Sequence, residues 1–186
     1  MPNLYIIAGP NGAGKTTASF TILPELLNVR EFVNADEIAK GLSPFQPETV
    51  SLEAGRIMLS RIDDLITQKV DFAFETTLAS RSFASLAKNA TAEGYKIHLV
   101  FFWLDSFELA IARVQQRVLE GGHNIPVDII ERRYKAGISN FMTLYKNIVD
   151  LWIVLDNSNV EPALVAEGGK NIEDIIHNQD IWQKMN

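Results

Sequence analysis

Apolar runs of strand length alternate along the chain with longer segments whose apolar positions recur at helical spacing. LYIIAG opens the series without alternation, the pattern of a strand buried on both faces. Residues Lys15 to Leu27 follow as a helix. EFVNAD then reads as a short second strand ending at Asp36. A helix is predicted over Pro47 to Lys69, with Pro47 suited to its first turn and Leu52, Ile57, Leu59, Ile62, Leu65 and Ile66 supplying the apolar face. VDFAFETTL is the third strand. Arg81 to Glu93 forms a helix closed by Gly94, and YKIHLVFFWLDS is the fourth and longest strand. A helix over Phe107 to Leu119 is broken by EGGHNIP, and helical spacing resumes over Val127 to Asn147. DLWIVLDNS is a fifth strand. PALVAEGG adds a short edge strand before a terminal helix from Ile172. Strands alternating with helices specify a mostly parallel sheet of five to six strands with right-handed crossovers, in a three-layer α/β/α domain. No repeat, low-complexity tract or linker divides the 186 residues, so one domain over 1–186 is expected.

The first junction carries the strongest chemical signal. GPNGAGKT matches G-x-x-x-x-G-K-[ST] through Gly9, Gly14, Lys15 and Thr16, directly between a buried strand and a helix. Backbone N–H groups of Gly9, Pro10, Asn11, Gly12, Ala13, Gly14, Lys15, Thr16 and Thr17 (Pro10 excepted, having none) are expected to turn inward toward an anion. The helix dipole adds to the same site. Lys15 supplies a mobile charge for the β- and γ-phosphates of a nucleotide such as ATP, and the Thr16 hydroxyl is the expected Mg²⁺ ligand. The chain is a P-loop NTPase by this signature.

Ligands of an open parallel sheet lie beyond the carboxyl ends of its strands. The polar residues at those ends are Asn34-Ala35-Asp36, Glu75-Thr76-Thr77, Asp105-Ser106 and Asp156-Asn157-Ser158. Transfer of a phosphoryl group to an alcohol needs a carboxylate that accepts the hydroxyl proton, and Asp36 is the candidate; the same residue could instead cap a helix over Glu37 to Lys40. Glu75 could bind substrate hydroxyls or hold Mg²⁺ through water. Thr76 and Thr77 either touch substrate or cap the following segment. Arg113 and Arg117 share a helical face, and with Arg132 and Arg133 they flank the Gly-rich EGGHNIP. Two helices joined by such a turn suggest a lid, about 113–135, that closes over phosphates and expels water. Within it, His123 could touch phosphate. His98 reads as a sheet residue, His177 as a residue of the terminal helix, and Phe101, Phe102 and Trp103 as strand core. No pair of histidines has zinc-ligand spacing.

Bulk properties narrow the partners. The net charge of −6 opposes a life on nucleic acid or an anionic membrane, because phosphate backbones are bound by neutralising Lys and Arg. The absence of cysteine excludes disulfide scaffolds, thiolate metal sites and thiol nucleophiles. No stretch has the length to span a bilayer and no leader pattern opens the chain, so a cytoplasmic location is expected.

Taken together, GPNGAGKTT, FVNADEIAKGLSP, FAFETTL, RVQQRVLEGGHNIPVDIIERRY, DNS and PALVAEGG resemble the zeta toxin family of P-loop kinases. They run in one order from Leu4 to about Gly169. The resemblance implies a nucleoside-monophosphate-kinase-like core and ATP-dependent phosphorylation of a small-molecule hydroxyl, which in well-known members belongs to UDP-N-acetylglucosamine. It implies Lys15 and Thr16 at the phosphate and Mg²⁺ positions, Asp36 as general base, and Glu75 with Thr77 in the substrate motif. Arg117 with Arg132 or Arg133 would act on the transferring phosphate. DNS, with Asp156 and Asn157, would lie near the adenine, and an antitoxin protein becomes a possible partner. The compact chain shows no extended insertion for a sugar nucleotide. Other readings are a polynucleotide 5′-hydroxyl kinase, which needs a basic groove, and a nucleotide-dependent ATPase or switch, which does not need Asp36.

Overall fold

The computed structural model describes residues 1–186. Its centre is a seven-stranded sheet in the order β2-β3-β1-β4-β5-β6-β7. The strands are β1 (Asn3–Ala8), β2 (Glu31–Val33), β3 (Phe72–Thr76), β4 (Lys96–Trp103), β5 (Leu151–Asp156), β6 (Ala163–Gly169) and β7 (Ile172–Ile176). The first five pair in parallel, whereas β6 and β7 pair antiparallel. Seven helices complete the fold: α1 (Lys15–Thr21), α2 (Ala35–Leu42), α3 (Ser51–Gln68), α4 (Ser82–Ala92), α5 (Phe107–Leu119), α6 (Val127–Thr143) and α7 (Gln179–Met185).

Successive residues of the parallel strands point to opposite faces, and both faces are buried. Leu4, Ile6, Phe72, Phe74, Phe101 and Trp103 enter the larger apolar layer, with Met58 and Ile62 of α3 and Phe141 of α6. Ile7, Ala73 and Phe102 enter the other, with Ala110 and Val114 of α5 and Ile130 of α6. This is the three-layer α/β/α arrangement expected from the alternation of elements. Helix α6 contributes to both layers, which ties the region around the EGGHNIP turn to the body of the domain.

Several local expectations change. The helix after the loop is α-helical only to Thr21 and continues as a π turn over Ile22–Leu26. Pro24 lies in that turn; it has no N–H to give to the carbonyl four residues back, and Leu27 N–H instead reaches the Ile22 carbonyl five residues back. Pro47 opens a 3-10 turn, and α3 begins at Ser51. The buried face of α3 is Ala54, Met58, Ile62 and Leu65, one turn apart, while Leu52, Ile57 and Leu59 are exposed. The helix over Val127 to Asn147 stops at Thr143 and closes with a 3-10 turn at Tyr145–Asn147.

The terminal segment departs furthest. PALVAEGG is not the edge; β6 is an inner strand, and Ile172–Ile176 adds β7 outside it instead of starting a helix. Four of the five β7 residues are exposed, so nothing packs on the face that helical spacing of Ile172, Ile175 and Ile176 would give the segment. Its hydrogen bonds to β6 satisfy the backbone instead. The terminal helix is the short α7, capped by Asn178, whose side chain accepts from Ile181 N–H at 3.1 Å. Trp182 of α7 stacks on Trp152 of β5 with ring centroids 5.6 Å apart.

Phe141 is fully buried and stacks on Phe101 of β4 at 4.9 Å. Replacing it with alanine removes this ring from the layer between α6 and the sheet. Phe141→Ala is expected to cost about 3–5 kcal/mol in chemical denaturation.

Candidate active site

The chain leaves β1 toward β2 and β3 on one side and returns to β4 on the other, so a crevice opens beyond the carboxyl end of β1. The loop of residues 9–14 fills it. Gly9 has φ +138°, and a Cβ there would run into the Phe102 carbonyl; only glycine lets the loop leave β1 this close to β4. Gly14 caps α1 in the left-handed conformation and has no side chain to bond the first-turn N–H groups. Those donors are left for an anion. Lys15 is buried at 5% exposure. Its Nζ donates to the Pro10 carbonyl at 2.9 Å and lies 3.5 Å from Glu75 Oε1.

Glu75 sits at the end of β3, next to β1 in the sheet. Its Oε2 accepts from Thr16 Oγ1 at 2.7 Å and from Asn34 Nδ2 at 2.8 Å. The side chain of Asn34 also caps α2, its Oδ1 accepting from Asp36 N–H at 2.8 Å and Glu37 N–H at 3.4 Å. Asp36 is therefore neither a strand end, since β2 stops at Val33, nor the helix cap. It stands in the first turn of α2 with its side chain toward the crevice.

Three cavities meet there. One of about 270 Å³ is lined by the loop, Lys15, Thr16, Thr17, Glu75, Arg113, Arg117 and Glu120. A second, also about 270 Å³, lies between α2, the 3-10 turn and the EGGHNIP segment, with Glu48, Ser51, His123, Arg132 and Arg133 in its wall. A third of about 230 Å³ is walled by Asn34, Met58, Glu75, Thr76, Thr77, Phe83 and Arg133. Asp36 lines all three.

The arginines divide among these spaces. Arg117 faces the loop cavity, and its Nε and Nη2 are buried with no acceptor in the protein. Arg133 lines the second and third cavities, its Nη1 3.5 Å from Asn11 Oδ1. Arg132 lines the second alone. Arg113 lines the loop cavity, but its guanidinium donates to the Asn157 carbonyl at 2.7 Å and the Ser158 carbonyl at 2.9 Å. Asn157 Nδ2 in turn donates to the Ala13 carbonyl at 2.7 Å, so the segment after β5 is fastened to the phosphate loop. Asp156 turns inward, its Oδ1 accepting from Ser158 N–H at 2.9 Å, and lines none of the three cavities. Thr76 Oγ1 accepts from Leu78 N–H at 3.1 Å and stabilises the turn after β3, where Leu78 has φ +55°. Tyr134 donates to the Leu104 carbonyl at 2.7 Å, and burial pushes its hydroxyl up to about 12.

Burial also holds His123 below the ordinary imidazole value; Asp36 opposes the shift, while Arg117 and Lys40 reinforce it. Its Nδ1 is buried without a partner. Among the other histidines, His98 is stacked on Tyr5 at 4.8 Å and His177 bonds Glu167 outside any helix, at 2.9 Å.

Glu48, Ser51 and Glu120 are rim residues absent from the expectations drawn from the sequence, and Asn34, expected at the rim, had no role assigned to it. Asn34 had a legible signal, because an Asn followed three residues later by Glu37 has the spacing of a helix-start capping box. The other three lie on segments that carry no motif. The rim also bears on metal binding. No three of its His, Asp or Glu side chains are grouped closely enough to hold a metal ion by themselves. It does have a Thr hydroxyl beside a single carboxylate, a donor set that suits Mg²⁺, which takes one or two protein ligands together with nucleotide phosphates.

Comparison with known proteins identifies the lineage. The family model described as Zeta toxin matches residues 1–162. The chain belongs to the zeta toxin family. An uncharacterized protein of Haemophilus influenzae (strain ATCC 51907 / DSM 11121 / KW20 / Rd) is 33% identical over 127 residues, 68% of this chain and 88% of that protein. Crystal structures of the AvrRxo1-ORF1:AvrRxo1-ORF2 complex with sulphate ions and with ATP superpose on the whole chain with TM-scores of 0.82 and 0.78, at 18% and 19% identity. This chain spans 63% of the length of the matched chain in each. The PezAT chromosomal toxin-antitoxin system of Streptococcus pneumoniae also matches the whole chain and 78% of its own, with a TM-score of 0.69 at 16% identity. The fold is that of the P-loop kinases. No helix is long and apolar enough to cross a membrane.

Two outcomes follow from the site's electrostatics. Arg117→Met removes buried donors that lack acceptors, so folding stability is expected to hold or to rise by up to about 1–3 kcal/mol. Nucleotide affinity, measured by calorimetry, falls at least about tenfold through loss of one charge-assisted contact. The second outcome concerns pH. His98 and His123 both sit below the ordinary imidazole value of 6.5 through burial. Each then binds fewer protons folded than unfolded as pH falls through 6.5, so unfolding free energy declines from that point toward acid. Titration of the two imidazole C2 protons by NMR gives midpoints below 6.5, and His123→Gln flattens part of the decline.

Proposed function

We propose that this chain is a single kinase domain that transfers the γ-phosphoryl group of Mg²⁺-bound ATP to a hydroxyl of a small molecule. The observation that carries this reading is Asp36, which lines the loop cavity and two further cavities beside it. A hydrolase or switch needs the first cavity alone. A carboxylate at the mouth of the others is where an acceptor alcohol would stand.

In this scheme the loop N–H groups and Lys15 hold the β- and γ-phosphates. Thr16 directly, and Glu75 through water, would hold Mg²⁺, which neutralises charge on the phosphates when bound. Asp36 takes the acceptor proton as the alcohol oxygen bonds to the γ-phosphorus and the bond to the bridging oxygen breaks, leaving ADP. Arg117 and Arg133 offer charge to the transferring group. The segment from 113 to 135 closes as a lid, and closure brings the buried donors of Arg117 an acceptor. Arg132, with Glu48 and His123, faces the acceptor. Arg113 and Asn157 serve the nucleotide by holding the segment beside the adenine. Thr77 lines the acceptor space, and the Thr76 hydroxyl acts through the turn that it stabilises.

The acceptor to test first is a UDP-amino sugar such as UDP-N-acetylglucosamine, following the family. A protein antitoxin is the corresponding partner, supported by the likeness to PezAT, a chromosomal toxin-antitoxin system.

The chain incubated with ATP, Mg²⁺ and a panel of sugar nucleotides, sugars and oligonucleotides should add a phosphate to a small molecule, read by mass spectrometry. Phosphorylated oligonucleotide would point to a polynucleotide kinase, and free phosphate alone to an ATPase. Asp36→Asn is expected to keep ATP affinity and lower transfer by about 10²–10⁴-fold. Equal ATP turnover in wild type and variant would remove Asp36 as base.

A further inference from the structure

We propose that Asn34 is a positioning residue, and that its one side-chain amide sets the base-bearing helix α2 and the metal-side carboxylate Glu75 at a fixed separation. The inference rests on the kinase reading above for the roles of Asp36 and Glu75, and it gives that site a part that the phosphate loop does not supply. Asn34 is buried, at 6% exposure, where β2 ends and α2 begins. Both ends of its amide are engaged. Oδ1 accepts from Asp36 N–H and Glu37 N–H, while Nδ2 donates to Glu75 Oε2 at 2.8 Å.

Capping alone does not account for asparagine here. Ser, Thr and Asp cap helix starts through a side-chain oxygen about as well. None of the three combines that oxygen with a second, rigidly attached N–H donor. Asn does, and the donor is directed at the carboxylate that also receives Thr16 Oγ1 at 2.7 Å and faces Lys15 Nζ at 3.5 Å. Thr16 Oγ1 is the atom that Mg²⁺ would claim, so its bond to Glu75 has a competitor when nucleotide is bound. The Asn34 bond has no such competitor. It is the contact that keeps Glu75 oriented in the loaded site, and because the amide is planar it carries the same orientation to the Asp36 backbone. Partners that orient a metal-side carboxylate in this way typically change metal affinity by about 10–100-fold when removed.

The test uses the whole chain, Mg²⁺ and a fluorescent non-hydrolysable ATP analogue, and needs no acceptor. Asn34→Ser retains a capping oxygen and removes the amide N–H that reaches Glu75, its shorter hydroxyl lying on the capping side; Asn34→Thr does the same should the serine variant fold poorly. The expected result is a rise of about tenfold in half-saturating Mg²⁺, with analogue affinity in EDTA changed less than about twofold and the melting temperature nearly kept. On a Glu75→Gln background the same substitution should add little. An unchanged Mg²⁺ midpoint would sink the proposal, as would a shift that persists undiminished beside Glu75→Gln. Equal weakening with and without Mg²⁺, accompanied by a lower melting temperature, would reduce Asn34 to a structural cap and overturn it too. Wild type that binds no analogue would take the kinase reading down with it. Wild type that shows the Mg²⁺ effect yet phosphorylates nothing in the panel would leave Asn34 in place and remove only the acceptor.

Discussion

One carboxylate organises this molecule's chemistry. Glu75 stands at the end of β3 and gathers Lys15 and Thr16 from the first turn of α1 and Asn34 from the junction of β2 and α2. Its side chain is only 11% exposed, so a charge with fewer partners would be costly there. The donors offset that cost, and in doing so they bring the start of α1, the β2–α2 junction and the end of β3 to one point on the rim. The parallel order of β2, β3 and β1 makes this possible, because it sets the three carboxyl ends side by side.

The opposite side of the crevice is built differently. There the α5–α6 region presents buried polar atoms that the protein does not satisfy, the donors Nε and Nη2 of Arg117 and the ring nitrogen Nδ1 of His123. Unmet buried donors are costly to a fold and useful to a binding site, since an incoming anion supplies the missing acceptors without first displacing internal ones. Arg113, on the same face of α5, shows the contrast: its guanidinium is committed to two carbonyls of the segment after β5. Two arginines four residues apart thus have different work, one bracing the wall and one left open to the cavity.

Legibility varied with how local the cause was. The phosphate loop could be read directly, because its glycines answer to backbone geometry inside nine residues. The strands from β1 to β6 were visible as apolar runs. Ile172–Ile176 is a strand and not the expected helix because Ile172, Ile175 and Ile176 carry helical spacing in too short a segment to impose it, and pairing with β6 decides the conformation. The apolar face of α3 was misplaced for a related reason. Leu52, Ile57 and Leu59 are as apolar as Met58 and Ile62, and only the sheet's position determines which of them is covered. In the site, Asp36 was legible as a residue while its place in α2 was not, since the cap fell to Asn34 two positions earlier.

By itself the sequence determined the phosphate loop and the alternation that makes a largely parallel three-layer domain. These follow from backbone sterics and from periodicity, which act within a few residues. Tertiary structure alone decided that Asp36 lines three cavities, that Asp156 turns away from all of them, and that Asn34 joins the start of α2 to the end of β3. Those outcomes depend on which strand end stands beside which. Strand pairing is set by packing over the whole sheet, and no local pattern of residues records it.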